Sequence, residues 1–176
     1  FGNFIRRTPA QALWQDALLV LPATLTAVVL AGFEVTLEEV TKLAWFIPLL
    51  IGTGGNAGAQ AATTIVRAMA VDQVRFSDFL RVIARELQTG AVLGVGLAIL
   101  GFVPAAIFAG WDIALVLCLS VFAIVTWATV TAAGLPIVAR RIGLDPAVVS
   151  TPLMSTFVDA TGLVIYFSIA QVVLDL

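Results

Sequence analysis

No histidine occurs in the 176 residues, and Cys118 is the only cysteine. Without imidazole and with one thiol, zinc and other soft-metal sites are excluded, and so is a disulfide within the chain. A metal site here must be built from oxygen atoms. Charge is scarce as well: Asp, Glu, Lys and Arg supply 11% of the residues, with a net charge of −2. That scarcity leaves no basic face for a nucleic acid. What fills the chain instead is 61% hydrophobic residues. The mean hydropathy is +1.09. A soluble domain of this size cannot keep so much apolar surface from water, so the bilayer is the natural solvent.

Residues 1–176 read as a single transmembrane domain. The chain opens on Phe1 rather than methionine, and is expected to be processed or excised from a longer protein. A hydrocarbon core about 30 Å thick requires roughly 20 apolar residues in a helix. The candidates run from about Ala17 to Phe33, Val40 to Ala70, Val82 to Ala109, Ile113 to Ala139 and Ala147 to Leu174. The second is too long for one uninterrupted span. Pro48 and the run Gly52-Thr53-Gly54-Gly55 are expected to break or bend it. In the third, Gly90 and Gly94 stand at the spacing for close helix contact.

The expected fold is therefore all-α, a bundle of five transmembrane helices with a Gly/Pro-interrupted second helix. Placing the N-terminus in the cytoplasm puts Arg6, Arg7, Arg67, Arg75, Arg81, Arg85, Arg140 and Arg141 inside, and only Lys42 outside. That is a strong positive-inside bias. It favours five spans over four and puts the C-terminus outside. Glu34, Glu38, Glu39, Asp112 and Asp175 then face outward. Together they form an anionic vestibule that would concentrate cations, although each alone reads as an ordinary loop acid or helix cap. Trp45 and Trp111 read as interface anchors.

Two places break the apolar pattern at membrane depth. One is the stretch from Pro48 to Gln60, where Gly52, Gly54, Gly55 and Gly58 accompany Asn56. Loosened backbone there must face protein or a water-filled cavity, and its carbonyls are candidates to face a cation or its hydration shell. Asn56, Gln60, Thr63, Thr64 and Arg67 continue it as a polar stripe at helical spacing. The competing explanation is tight helix packing by the glycines and interhelical hydrogen bonds by the amides.

The other is Asp159, about 18 Å into the fifth span at 1.5 Å per residue. A lone intramembrane carboxylate marks a functional site by default; a protonated Asp bonded to a neighbouring helix is the structural alternative. Ser155 lies one turn earlier, and Pro152 and Thr156 flank the same face. One carboxylate cannot dehydrate Mg²⁺, which holds its octahedral waters tightly. The ion would pass hydrated, or two chains would each supply Asp159 about one axis.

These residues resemble the membrane domain of the MgtE family of magnesium channels, related to the animal solute carrier family 41. The matching features are Pro48 with the run Gly52 to Gln60, then Leu144-Asp145-Pro146-Ala147, and Asp159-x-Thr161-Gly162. The resemblance implies a homodimer in the bilayer, with five helices per chain and a pore on the dimer axis. It implies that Asp159 holds hydrated Mg²⁺, helped by backbone oxygens near Gly52 and Gly55, with Asn56 and Ser155 as further metal-site residues. Mg²⁺ is then the transported ion, not a catalytic cofactor. Ala59, where some members carry Asn, and Thr151, where Asn often precedes the proline, reduce the amides along the path. Mn²⁺, Co²⁺ and Ca²⁺ therefore join the expected cargo. The family's cytoplasmic N-terminal and CBS regulatory domains have no counterpart in these residues, and the expected location is a bacterial inner membrane, multi-pass.

A secondary transporter coupling the cation to H⁺ or Na⁺ through Asp159 is the alternative mechanism. An intramembrane protease would need a second deep aspartate or a serine with a base. The chain offers neither, so no enzyme is expected. A purely structural membrane subunit would make Asp159 dispensable.

Overall fold

In a computed structural model the protein is described over residues 20, 24–144 and 146–176, with the backbone alone over 146–154. Arg6, Arg7, Asp145 and the start of the first expected span lie outside the described residues. So do the side chains of Thr151 and Pro152. Every described element is helical. Residues 24–32 form the visible part of α1. It is followed by α2 (Glu34–Glu39), a 3₁₀ turn (Thr41–Phe46) and α3 (Ile47–Ala70). A second 3₁₀ turn (Phe76–Asp78) leads into α4 (Phe79–Phe108), then α5 (Trp111–Arg141) and α6 (Pro146–Leu174). Three stretches among the described residues are long and apolar enough to cross a membrane: Phe76–Phe108, Trp111–Arg141 and Ser155–Leu174.

The glycine run expected to break the second span does not break it. Residues 52–58 lie inside the continuous helix α3, and Pro48 occupies its first turn, where a missing N–H costs nothing. The interruption falls earlier, in the 3₁₀ turn Thr41–Phe46. The reason is packing. A Cβ on Gly54 would stand 2.7 Å from Ile124 Cγ2, and one on Gly58 would touch the backbone of Ala128. The glycines let α3 lie against α5, which outweighs their poor helix propensity.

Helix α5 is the centre of the bundle and packs against α3, α4 and α6. Its contact with α4 runs along Gly90, Gly94, Ala98 and Ala105, all buried. The approach is close enough that Thr129 Oγ1 donates to Glu86 O across it at 3.1 Å. Cys118 Sγ does the same to Ala98 O at 3.1 Å. Elsewhere α4 exposes Leu80, Val92, Ile99, Leu100, Val103 and Ile107, an apolar surface suited to lipid.

Of the successive long helices, α4 and α5 pack side by side, as do α5 and α6. Gly110 joins α4 to α5 at φ 107, a conformation that only glycine adopts without strain. α5 ends with Gly143 N–H donating to Arg140 O and Leu144 N–H to Ala139 O. α3 ends the same way, with Asp72 N–H on Met69 O and Gln73 N–H on Ala68 O. Both are paired Schellman bonds that satisfy the last carbonyls. Arg140 then ties the two ends together, through Nη1 to Met69 O at 3.0 Å and Nη2 to Asp72 Oδ1 at 3.4 Å.

The opposite end is tied by different residues. Tyr166 donates its hydroxyl to Leu43 O at 2.9 Å, and Lys42 Nζ reaches Ala109 O at 3.1 Å. Phe33 stacks on Phe167 with centroids 4.8 Å apart. Glu39, Lys42 and Asp112 share a cavity there, and exposed Trp45 and Trp111 accompany them. Acids and the single lysine thus gather at one end, while Arg75, Arg140 and Arg141 meet at the other.

The seam predicts opposite outcomes for two glycines of α4. A Cβ on Gly90 would collide with Thr129 Oγ1 and stand 2.9 Å from Thr126 Cα, whereas one on Gly96 meets nothing within 4 Å. Gly90→Ala should lower stability by about 1–3 kcal/mol. Gly96→Ala should be neutral or stabilising by up to about 1 kcal/mol. Thermal unfolding in detergent measures both, and equal effects would contradict the seam.

Candidate functional site

The site is built where α3, α5 and α6 meet at mid-depth. Asp159 stands about 20 Å from the start of α6 and about 22 Å from its end, at 1.5 Å per residue. Its Oδ1 is buried and has no hydrogen-bond partner among the described residues. A buried polar atom without a partner costs on the order of several kcal/mol unless something else engages it. The oxygen faces Gly55 of α3, on which an added Cβ would stand 3.6 Å away. The crevice around it is bounded by Leu50, Ile51, Ile124 and Leu163 and is too thin to hold a water molecule.

Ile124 closes this crevice from the α5 side. Its Cγ2 is the atom that a Cβ on Gly54 would meet at 2.7 Å and one on Gly162 at 3.4 Å. A single isoleucine therefore fills a notch shared by two glycines, one from each neighbouring helix. Below it, Trp127 Nε1 donates to Thr161 Oγ1 at 2.9 Å. The Thr161 hydroxyl donates in turn to Phe157 O. This chain of bonds fixes the turn of α6 that carries Asp159.

Helix α3 has two unlike sides. Leu50, Gly54, Gly58, Ala61, Ala62, Ile65 and Met69 are buried. Gly52, Asn56, Gln60, Thr63, Thr64 and Arg67 are exposed on the other side. Thr53 and Thr64 donate their hydroxyls to Leu49 O and Gln60 O in their own helix. The arrangement inverts a lipid-facing helix, because the side left uncovered by the described residues is the polar one.

Of the site residues expected from sequence, the structure brings Gly55 against Asp159. Gly52 and Asn56 lie on the exposed polar face, and Gly52 has open space around it, with nothing within 4 Å of a Cβ there. Ser155 is exposed one turn before Asp159 on α6. The carbonyls near Gly52 and Gly55 belong to a continuous helix and are not unwound. Among the described residues no three acidic or Cys/His side chains converge. A metal cage of that kind is absent from them, and Asp159 is the carboxylate at this depth. Ile124 and Trp127 escaped the sequence reading. An isoleucine in an apolar span carries no signal of its own, while Trp127 could have been noticed as a mid-span donor opposite Thr161.

Known proteins match the stretch that carries this site. The family model MgtE, described as a divalent cation transporter, matches residues 47–169, from the start of α3 to the last turns of α6. The magnesium transporter MgtE of Thermus thermophilus is 43% identical over 159 residues, covering 90% of this chain and 35% of that protein. The magnesium transporter MgtE of Enterococcus faecalis is 33% identical over 173 residues, covering 96% of this chain and 37% of that protein. The Bacillus subtilis protein of the same name is 29% identical over 154 residues. The chain spans about a third of the length of these curated relatives.

The notch makes a stability prediction separate from any transport. Gly54→Ala should lose about 1–3 kcal/mol, because Ile124 is branched and held on both sides. Gly52→Ala should leave the unfolding midpoint in detergent unchanged. A harmless Gly54→Ala would show that Ile124 is not confined.

Proposed function

Because the chain belongs to the MgtE family of divalent cation transporters, we propose that it conducts Mg²⁺ across a membrane as a homodimer, with the hydrated ion held between the Asp159 carboxylates of two copies. The observation that carries this reading is Asp159 itself, a partly exposed carboxylate at mid-depth whose buried Oδ1 has no hydrogen-bond partner among the described residues. A lone intramembrane carboxylate is retained at a cost only where it meets a charge or water. One such group is too few to strip Mg²⁺ of its waters. Two copies apposed on this side would cover the Asn56 and Gln60 amides and double the carboxylates.

In this arrangement the ion keeps its hydration shell. Asn56 and Ser155 bond to those waters rather than to the metal. The Gly52 and Gly55 carbonyls serve the helix ladder and retain a second lone pair for a water. Selectivity then comes from carboxylate field and width, so Mn²⁺, Co²⁺ and Ca²⁺ are also candidates for passage. Gathering of arginines at one end of the bundle supports a cytoplasmic location for that end. Five spans follow once α1 and α3 are counted with the three apolar helices. A bacterial inner membrane is the fitting location.

Asp159→Ala should reduce divalent cation uptake into proteoliposomes by at least about tenfold while the protein elutes as wild type does. Asp159→Asn, nearly equal in volume, should do the same if charge is what matters. Uptake at wild-type rates in either variant would end the proposal. Running the assay with and without H⁺ and Na⁺ gradients distinguishes conduction from coupled transport, since conduction survives without them.

A further inference from the structure

Away from the ion path, the arginine-rich end of the bundle contains a second polar cavity, about 370 Å³ in volume. It lies between the α3–α4 connection and the end of α5. Its walls carry Arg75, Arg140 and Arg141 with Asp72, over apolar side chains of Met69 and Ile137. Arg140 is committed to the fold, bonding Met69 O and Asp72 Oδ1. Its charge is matched by that carboxylate. Arg75 and Arg141 are not matched: among the described residues neither forms an ion pair. Arg141 instead lies over the Phe76 ring, 5.1 Å from its centroid. Two guanidinium groups without an ion pair among the described residues therefore border one cavity, an arrangement that suits an anion.

Neutralising the negative end of α5 accounts for Arg140 and Arg141, which occupy its last turn. It does not account for Arg75, which precedes the 3₁₀ turn before α4. The position of the cavity selects among anions. The apolar stretch Phe76–Phe108 begins here and Trp111–Arg141 ends here, so the cavity lies at the depth of lipid headgroups. Phe76 lines it, and Val71 and Ile142, next in the chain to the lining residues Asp72 and Arg141, are large and exposed. Such a rim suits acyl chains and not water. Guanidinium forks match phosphate oxygens, and basic pockets between helices at the cytoplasmic face take anionic headgroups.

We infer that this cavity binds the phosphate of an anionic phospholipid, with Arg75 and Arg141 as its ligands and Arg140 fixing the wall between them. The site is independent of Asp159 and of the ion that passes it. The test is native mass spectrometry of the detergent-solubilised protein mixed with phosphatidylglycerol or phosphatidylcholine. Wild type should retain phosphatidylglycerol about tenfold over phosphatidylcholine, and Arg75→Gln with Arg141→Gln should lose that preference. Arg75→Gln alone, at an exposed side chain, should weaken it and serves if the double variant misfolds. Inorganic phosphate at millimolar concentration should not displace the lipid. Equal retention in wild type and variants would overturn the inference. So would displacement by inorganic phosphate, which would mark a site for soluble anions.

Discussion

Everything in this bundle depends on how closely its helices can approach α5. In a lipid solvent apolar side chains gain little from leaving hydrocarbon, so helices associate through packing and the hydrogen bonds that packing permits. Here the approach is made through missing side chains: Gly54 and Gly58 on α3, Gly90 and Gly94 on α4, and Gly162 on α6. Only at such separation can Thr129 reach the Glu86 carbonyl, or Cys118 the Ala98 carbonyl. The same closeness leaves the crevice at Asp159 too thin for water. Packing and the unpartnered carboxylate are two results of one arrangement.

Seen from α5, helix α3 is an ordinary packed helix. Its outer side carries Asn56, Gln60, Thr63 and Thr64, and the other described residues leave it exposed. A membrane protein with lipid on that side would strand the Asn56 and Gln60 amides in hydrocarbon, at a cost of on the order of several kcal/mol. The surface therefore demands either water or another protein surface. Gly55, the residue that faces Asp159, lies between that outer surface and the buried side of α3.

Much of this was legible in the chain itself. A composition without histidine and with little charge points to helices in lipid, and the spacing of Gly90 and Gly94 signals a close helix contact, though not that α5 is the partner. Asp159 stands out because nothing else at its depth is ionisable. What misled was the run around Gly54. Glycine signals both a helix break and a close contact, and only the position of Ile124 decides between them. Hydropathy alone does not mark α3 as a span, because its exposed polar side lowers the apolar content of its 24 residues, which reach about 36 Å. Ile124 itself could not be singled out, since its importance lies in facing two glycines that are distant in sequence.

The ties at the two ends of the bundle bear on how it can move. Arg140 fastens α5 to the end of α3, while Tyr166 and Lys42 fasten α6 and the α4–α5 turn to the segment preceding α3. A rod pinned at both ends cannot slide; it can only bow, and the largest excursion falls at the middle of its length. For α3 that middle lies at Gly58, which meets Ala128 and Ala132 of α5 without a side chain of its own. The compliance of the molecule is thus concentrated beside Asp159, at the depth where a fraction of an ångström decides whether a water molecule fits.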